Sequence, residues 1–275
     1  MIRTIIFLTV LFAFQIFPQQ DNNFFCVTKV KGIIVNLTTK DTLKRNSIVR
    51  HIDRLLFVDD FAVARVVDNY SGVFLLKKYK GKKEKSGELY YIVKENLTVL
   101  MGRLSTRNGT VVKGLVGELK NSLGRRYIYF GPVVFTAELS TEEVTTLSFQ
   151  FIFNGKDYLS KIRKNENEII IFQEFDYWFA FESKINPLSF EINLVKTIKD
   201  KTEKLHAFEI IIPDKKDLIE ELNSAINFLE ENKVSEEDIF RAIQKIIYNN
   251  YNRGNIDERA LRRWLSENTV IRMKN

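Results

Sequence analysis

One cysteine, two histidines and two tryptophans in 275 residues close off several kinds of chemistry at the outset. A lone cysteine, Cys26, makes no internal disulfide, so the fold must be held by its core, and any disulfide would join two molecules. Its neighbours Phe25 and Val27 predict a buried thiol on the first strand, because a nucleophilic cysteine needs access and a partner that stabilises the thiolate. Lipidation of Cys26 is not expected, since Phe24 and Phe25 stand where a small residue would be required. His51 and His206 fall in different predicted regions, so no metal site is expected. Also missing are a phosphate loop ending in Gly-Lys-Ser or Gly-Lys-Thr, a G-x-G-x-x-G after a strand, H-E-x-x-H and G-x-S-x-G. No cofactor is expected. Beyond the N-terminus no run is long and apolar enough to span a membrane.

What is present begins with a leader-like order: basic Arg3, an apolar run from Ile5 to Phe17, then polar Gln19, Gln20 and Asp21. This predicts a removable signal over residues 1–20 and a location that is periplasmic or secreted, with no anchor left after cleavage. Roughly 255 residues then remain, enough for one large or two to three small cores without staples. The formal charge of +7 suits anionic glycans or acidic head groups, against the plainer alternative of a composition generally rich in Lys, Asn, Ile and Phe, and export argues against nucleic acid as a partner.

From Phe24 to about Ile212 short alternating runs are broken by Gly, Asn, Asp and Lys. Examples are Val27-Lys31, Ile33-Leu37, Leu55-Val58, Ala62-Val67, Val73-Leu76, Leu89-Val93, Tyr127-Phe130 and Val133-Thr136. Such runs predict strands with one buried face. Turns are expected at Asn69-Tyr70-Ser71-Gly72 and at Arg107-Asn108-Gly109-Thr110. A second strand set begins near Thr145, with Leu147, Phe149, Phe151 and Phe153 on one face and Asn154-Gly155-Lys156 as a turn. After Pro213 the period becomes helical. Starts are expected at Asp214, at Ser235 with Asp238 as in a capping box, and at Asp257.

Few features point to ligands. Phe172, Phe175, Tyr177, Trp178, Phe179 and Phe181 form the densest aromatic cluster; Tyr177 and Trp178 are candidate stacking residues, against the alternative of an ordinary core. Six lysines lie between Lys77 and Gly87, making Lys80, Lys82 and Lys83 candidate anion contacts in what otherwise reads as a solvated connection. Asp59-Asp60, Glu142-Glu143 and Glu174 with Asp176 are the carboxylate pairs that a two-acid glycosidase would draw on. No catalytic residue is assigned.

The order Val27-Thr28-Lys29-Val30-Lys31-Gly32, Leu43-Lys44-Arg45, Leu56-Phe57, Ala62 to Val67 and Gly72-Val73-Phe74-Leu75 resembles the opening of uncharacterised exported proteins of Bacteroidota-type bacteria. That opening is similar to small SH3-like or FecR-like β modules. The resemblance covers about a third of the chain and carries over no catalytic residues; it implies location and modularity. The reading is therefore an α+β protein with an SH3-like β-rich module over 21–140, an antiparallel β sandwich over 141–212 and a three-helix segment over 213–275. The expected function is extracytoplasmic binding or scaffolding in a bacterial envelope, its partner another envelope protein or an anionic glycan. The alternative is an envelope glycan hydrolase that uses two carboxylates.

Overall fold

The computed structural model describes residues 24–78, 91–92, 97–99, 115–136, 144, 146–153, 155–165, 168–172, 175, 188–199, 201–252 and 254–271. The fold is mixed α+β, with four helices and mostly antiparallel sheets among the described residues.

The first strands follow the alternating runs. They are β1 (Phe24–Lys31), β2 (Ile34–Asn36), β3 (Asp41–Thr42), β4 (Ile48–Arg50), β5 (Arg54–Phe57), β6 (Val63–Asp68), β7 (Val73–Lys77), β8 (Tyr91–Ile92) and β9 (Leu97–Val99). Two antiparallel sheets, ordered β4-β1-β6-β7-β9 and β3-β2-β5-β8, enclose a core of Phe25, Val27, Ile34, Val49, Leu55, Val66 and Leu76. This β-unit contains the Asn69–Gly72 turn between β6 and β7. There Asp68 Oδ1 accepts the backbone N–H of Tyr70 (2.9 Å) and of Gly72 (2.6 Å), an Asx arrangement that closes the turn locally.

Helix α1 (Leu115–Leu123) comes next, an element for which the alternation gives no warning. Its signal is Leu115, Leu119 and Leu123, all buried and four apart, a single stripe interrupted by Gly117. The following strands are β10 (Arg126–Ile128), β11 (Val133–Thr136), β12 (Leu147–Phe153), β13 (Lys156–Lys161), β14 (Arg163–Asn165), β15 (Glu168–Ile171), β16 (Leu188–Ile198) and β17 (Lys201–Ile212). With β18 (Asn255–Ile256) they make a six-stranded sheet, β13-β12-β16-β17-β10-β18, and a three-stranded one, β11-β15-β14. β10 runs parallel to both β17 and β18. Since β10 and β11 precede residue 140 and their partners β17 and β15 follow it, hydrogen bonds of both sheets cross that position. Local patterning reports which face of a strand is buried and leaves its partner open.

Between these two sheets lies an aromatic core. Phe149, Phe151, Phe172, Phe175 and Phe208 are buried there with Tyr127, Ile169, Ile171 and Leu194. Ring centroids are 4.8 Å apart for Phe149 and Phe172 and 4.7 Å for Phe172 and Phe175. Phe172 sits at φ +63°, left-handed backbone that costs a bulky residue about 1–3 kcal/mol. Its carbonyl accepts from Tyr129 Oη (3.3 Å) and Phe175 N (3.1 Å), and the packed rings hold Phe172 in this conformation.

The helices α2 (Lys215–Glu231), α3 (Glu236–Asn250) and α4 (Glu258–Asn268) start where capping residues predict. Asp214 Oδ1 accepts from Lys216 N and Asp217 N, Ser235 Oγ from Asp238 N, and Asp257 Oδ1 from Ala260 N at 2.7 Å. Their stripes (Leu222, Ala225, Ile226, Leu229; Ile239, Ile243, Ile246, Ile247; Leu261, Trp264, Leu265) share one cluster. That cluster also takes Cys26, Val67 and Val73 from the β-unit and Ile128 and Phe130 from the middle region. The helices are thus the filling between two β structures.

Candidate functional site

Tyr177, Trp178, Lys80, Lys82 and Lys83 lie outside the described residues, as do Glu142, Glu143, Glu174 and Asp176. Two other members of the aromatic cluster, Phe172 and Phe175, are core residues with 1% and 0% exposure. Of the remaining acid pair, Asp59 Oδ2 accepts Ile33 N (2.9 Å) and Asp60 pairs with Lys78 Nζ (2.5 Å), so both serve a turn at the edge of the β-unit. Cys26 is buried on β1 with its thiol pKa pushed up to about 11, chiefly by burial and secondarily by Glu231. A thiol held protonated is a poor nucleophile. His206 Nε2 lies 2.7 Å from Gly124 O, a link between β17 and the end of α1. Among the described residues no three His, Cys, Asp or Glu side chains are grouped to hold a metal, and no helix is long and apolar enough to cross a membrane.

Two places concentrate chemistry that single-strand patterns do not announce. The first is one face of the six-stranded sheet. Register places Asp157 and Leu159 of β13 beside Ile152 and Gln150 of β12, Gln150 beside Asn193 of β16, and Glu191 and Asn193 beside Glu209 and Ala207 of β17. Ile211 continues this face to Ile128 on β10. At the β10 end the face is roofed: Ile128 packs in the helix cluster, and Phe130 meets Trp264 edge-on at 5.1 Å. At the β13 end Ile152 and Leu159 stand 65% and 55% exposed. A shallow cleft of about 310 Å³ opens there, lined by Gln150, Phe151, Ile152, Asp157, Glu191 and Asn193.

Its polar groups are mostly acceptors. Asn193 Oδ1 is buried with no hydrogen-bond partner, a state that costs an amide oxygen about 1–3 kcal/mol. Glu191 is joined by Lys204 at 3.3 Å, both exposed, so this pair contributes little to stability. Asp157 and Glu191 flank Ile152 from the neighbouring strands, two strand spacings or roughly 10 Å apart across the sheet. Both acids are exposed to water.

The second place is the seam between the β-unit and α2. Asp217, Glu220 and Glu221 stand at i, i+3 and i+4 on one face of that helix. Opposite them are Lys29, Arg45 and Arg65. Lys29 Nζ reaches Asp217 at 2.5 Å, Arg45 forks to Asp217 (3.1 Å) and Glu220, and Arg65 pairs with Glu221. Glu221 has 0% exposed side chain; Asn250 Nδ2 donates to it at 2.9 Å, and Arg65 Nη1 donates to Asn250 Oδ1 at 2.7 Å. Arg65 Nε is buried without a partner. Burial pushes the Asp217 carboxyl up, and the hydrogen bond and charge of Lys29, then Arg45, more than reverse this, leaving it below the usual carboxylate range. The Tyr251 hydroxyl at the same seam is pushed well above its ordinary value by burial and by Glu221, Asp214 and Asp217. Every ion pair here joins the β-unit to α2, which is the geometry of a clamp.

No protein-family model, curated protein or solved structure matches this chain.

Proposed function

We propose that this chain is a non-enzymatic binding or scaffolding protein of a bacterial cell envelope, exported by its leader. In this reading an SH3-like β module opens the mature chain, a second β-rich module follows, and a helical C-terminal segment holds the two together. The observation that supports binding is the half-bare sheet face. Two large aliphatic side chains, Ile152 and Leu159, are left in water beside an unpartnered buried acceptor, Asn193 Oδ1, while the other half of the same face is covered by helices. Exposed apolar groups rimmed by polar ones mark interaction sites, and an acceptor-rich floor suits a partner that presents N–H or O–H donors. Another envelope protein meets both requirements. The test is cross-linking of the tagged chain in its native host, followed by fractionation into periplasm, membranes and medium. A stable partner recovered in near-equal amount supports scaffolding; a chain recovered free and alone from all fractions contradicts it.

One observation favours a second reading, an envelope glycan hydrolase: Asp157 and Glu191 line the same cleft, and two carboxylates in one cleft are what such chemistry uses. Turnover of an envelope glycan that is lost in Glu191→Gln would establish this reading. The exposure of both acids and the Lys204 beside Glu191 place it behind binding.

A further inference from the structure

The charges at the seam are sorted by segment. All three cations, Lys29, Arg45 and Arg65, belong to the β-unit, and all three anions, Asp217, Glu220 and Glu221, belong to α2. Each set repels itself and is neutralised only when the two surfaces meet. The β-unit also keeps a core of its own, built from Phe25, Val27, Ile34, Val49, Leu55 and Leu76, and lends the helix cluster only Cys26, Val67 and Val73 as fully buried groups, with Phe24 packed against them. Most of its apolar burial therefore survives separation from the helices. The buried pair is incompletely satisfied, with Arg65 Nε unpartnered, and desolvation of such a pair offsets much of its attraction.

We infer that this seam is an electrostatic latch: the β-unit releases from α2 as a folded body when ions screen the contact, at a salt concentration that leaves both β structures and the helices folded. The outer rungs carry the salt response. Lys29, Asp217 and Glu220 have 39%, 45% and 50% exposed side chains, and ions screen half-exposed pairs far more effectively than buried ones. Sub-global opening of this kind is ordinary where a structural unit has its own core and a polar contact surface.

Cys26 reports the event directly, because it is the chain's one thiol and lies 3% exposed in the seam with Sγ 4.0 Å from Ser224 O of α2. The experiment is alkylation of the full chain by an uncharged maleimide across a sodium chloride series. Rates are normalised to the unfolded chain in each buffer, and far-UV circular dichroism is followed in parallel. The latch predicts that Cys26 labelling rises with salt at constant circular dichroism. It also predicts that the half-exposed double variant Asp217→Asn/Glu220→Gln labels roughly 3- to 10-fold faster at low salt and responds less to added salt. Labelling that ignores both salt and the variant, or that rises only as the circular dichroism signal is lost, overturns the inference.

Discussion

The two halves of one sheet face teach where this molecule spends its apolar surface. Ile128 and Ile152 are equivalent in kind, both on the same side of the six-stranded sheet, yet Ile128 is fully buried under the helices and Ile152 stands 65% in water. The helices stop short of β12 and β13. On this face apolar burial is concentrated at the roofed half, and a side chain changed on the bare half removes little of it.

The sharpest way to break that contrast is to damage the roof. Trp264→Ala removes the ring that meets Phe130 at 5.1 Å and is expected to cost about 3–5 kcal/mol in a denaturant titration. The buried Glu221 should be nearly as sensitive: Glu221→Ala leaves Arg65 without its counter-charge at a buried site, an expected loss of about 3–5 kcal/mol in the same titration. Removal of the α4 cap, Asp257→Ala, takes the acceptor from Ala260 N and should cost about 1 kcal/mol. At the bare half, Ile152→Lys is expected to stay within about 0.5 kcal/mol of the native chain. A large loss there would show that Ile152 is packed against something in the folded chain and would end the comparison.

Acid acts on the seam through Asp217. The Asp217 pKa is lowered in the folded chain, so its contribution is present above the ordinary aspartate value of about 3.9 and lost as pH falls below it. Asp68 works in the opposite sense. Its pKa is raised by burial, with the N–H groups of Gly72 and Tyr70 and the Lys245 charge offsetting part of the rise, so its contribution is present at low pH and fades as pH climbs through the folded value. Stability measured from pH 7 to 3 should therefore fall less steeply in Asp217→Asn than in the native chain. Equal slopes would remove Asp217 from the clamp.

Much of the architecture was legible residue by residue. The alternation of Leu147, Phe149, Phe151 and Phe153 gave the buried face of β12, and Asp214, Ser235 and Asp257 marked three helix starts, because these signals are local. Helix α1 was missed, its single leucine stripe being short and broken by Gly117. The parallel pairing of β10 with β17 and β18 was also beyond reach, since strand partners 83 residues apart in sequence, as Arg126 and Glu209 are, leave no local mark. The site was less legible than the fold. Alternation with Phe151 and Phe153 puts Ile152 on the other face of its strand, but only register places Asp157 and Glu191 on either side of it, and nothing local sets Lys29, Arg45 and Arg65 against a helix more than 150 residues later.

Cross-linking in the native host of two chains, the native protein and Ile152→Lys/Leu159→Lys, tests whether the bare face is a docking surface. The bare face as a docking surface predicts that the double variant reaches the same compartment in the same amount, folds as the native chain does, and loses its cross-linked partner. Undiminished capture of that partner by the variant would contradict it.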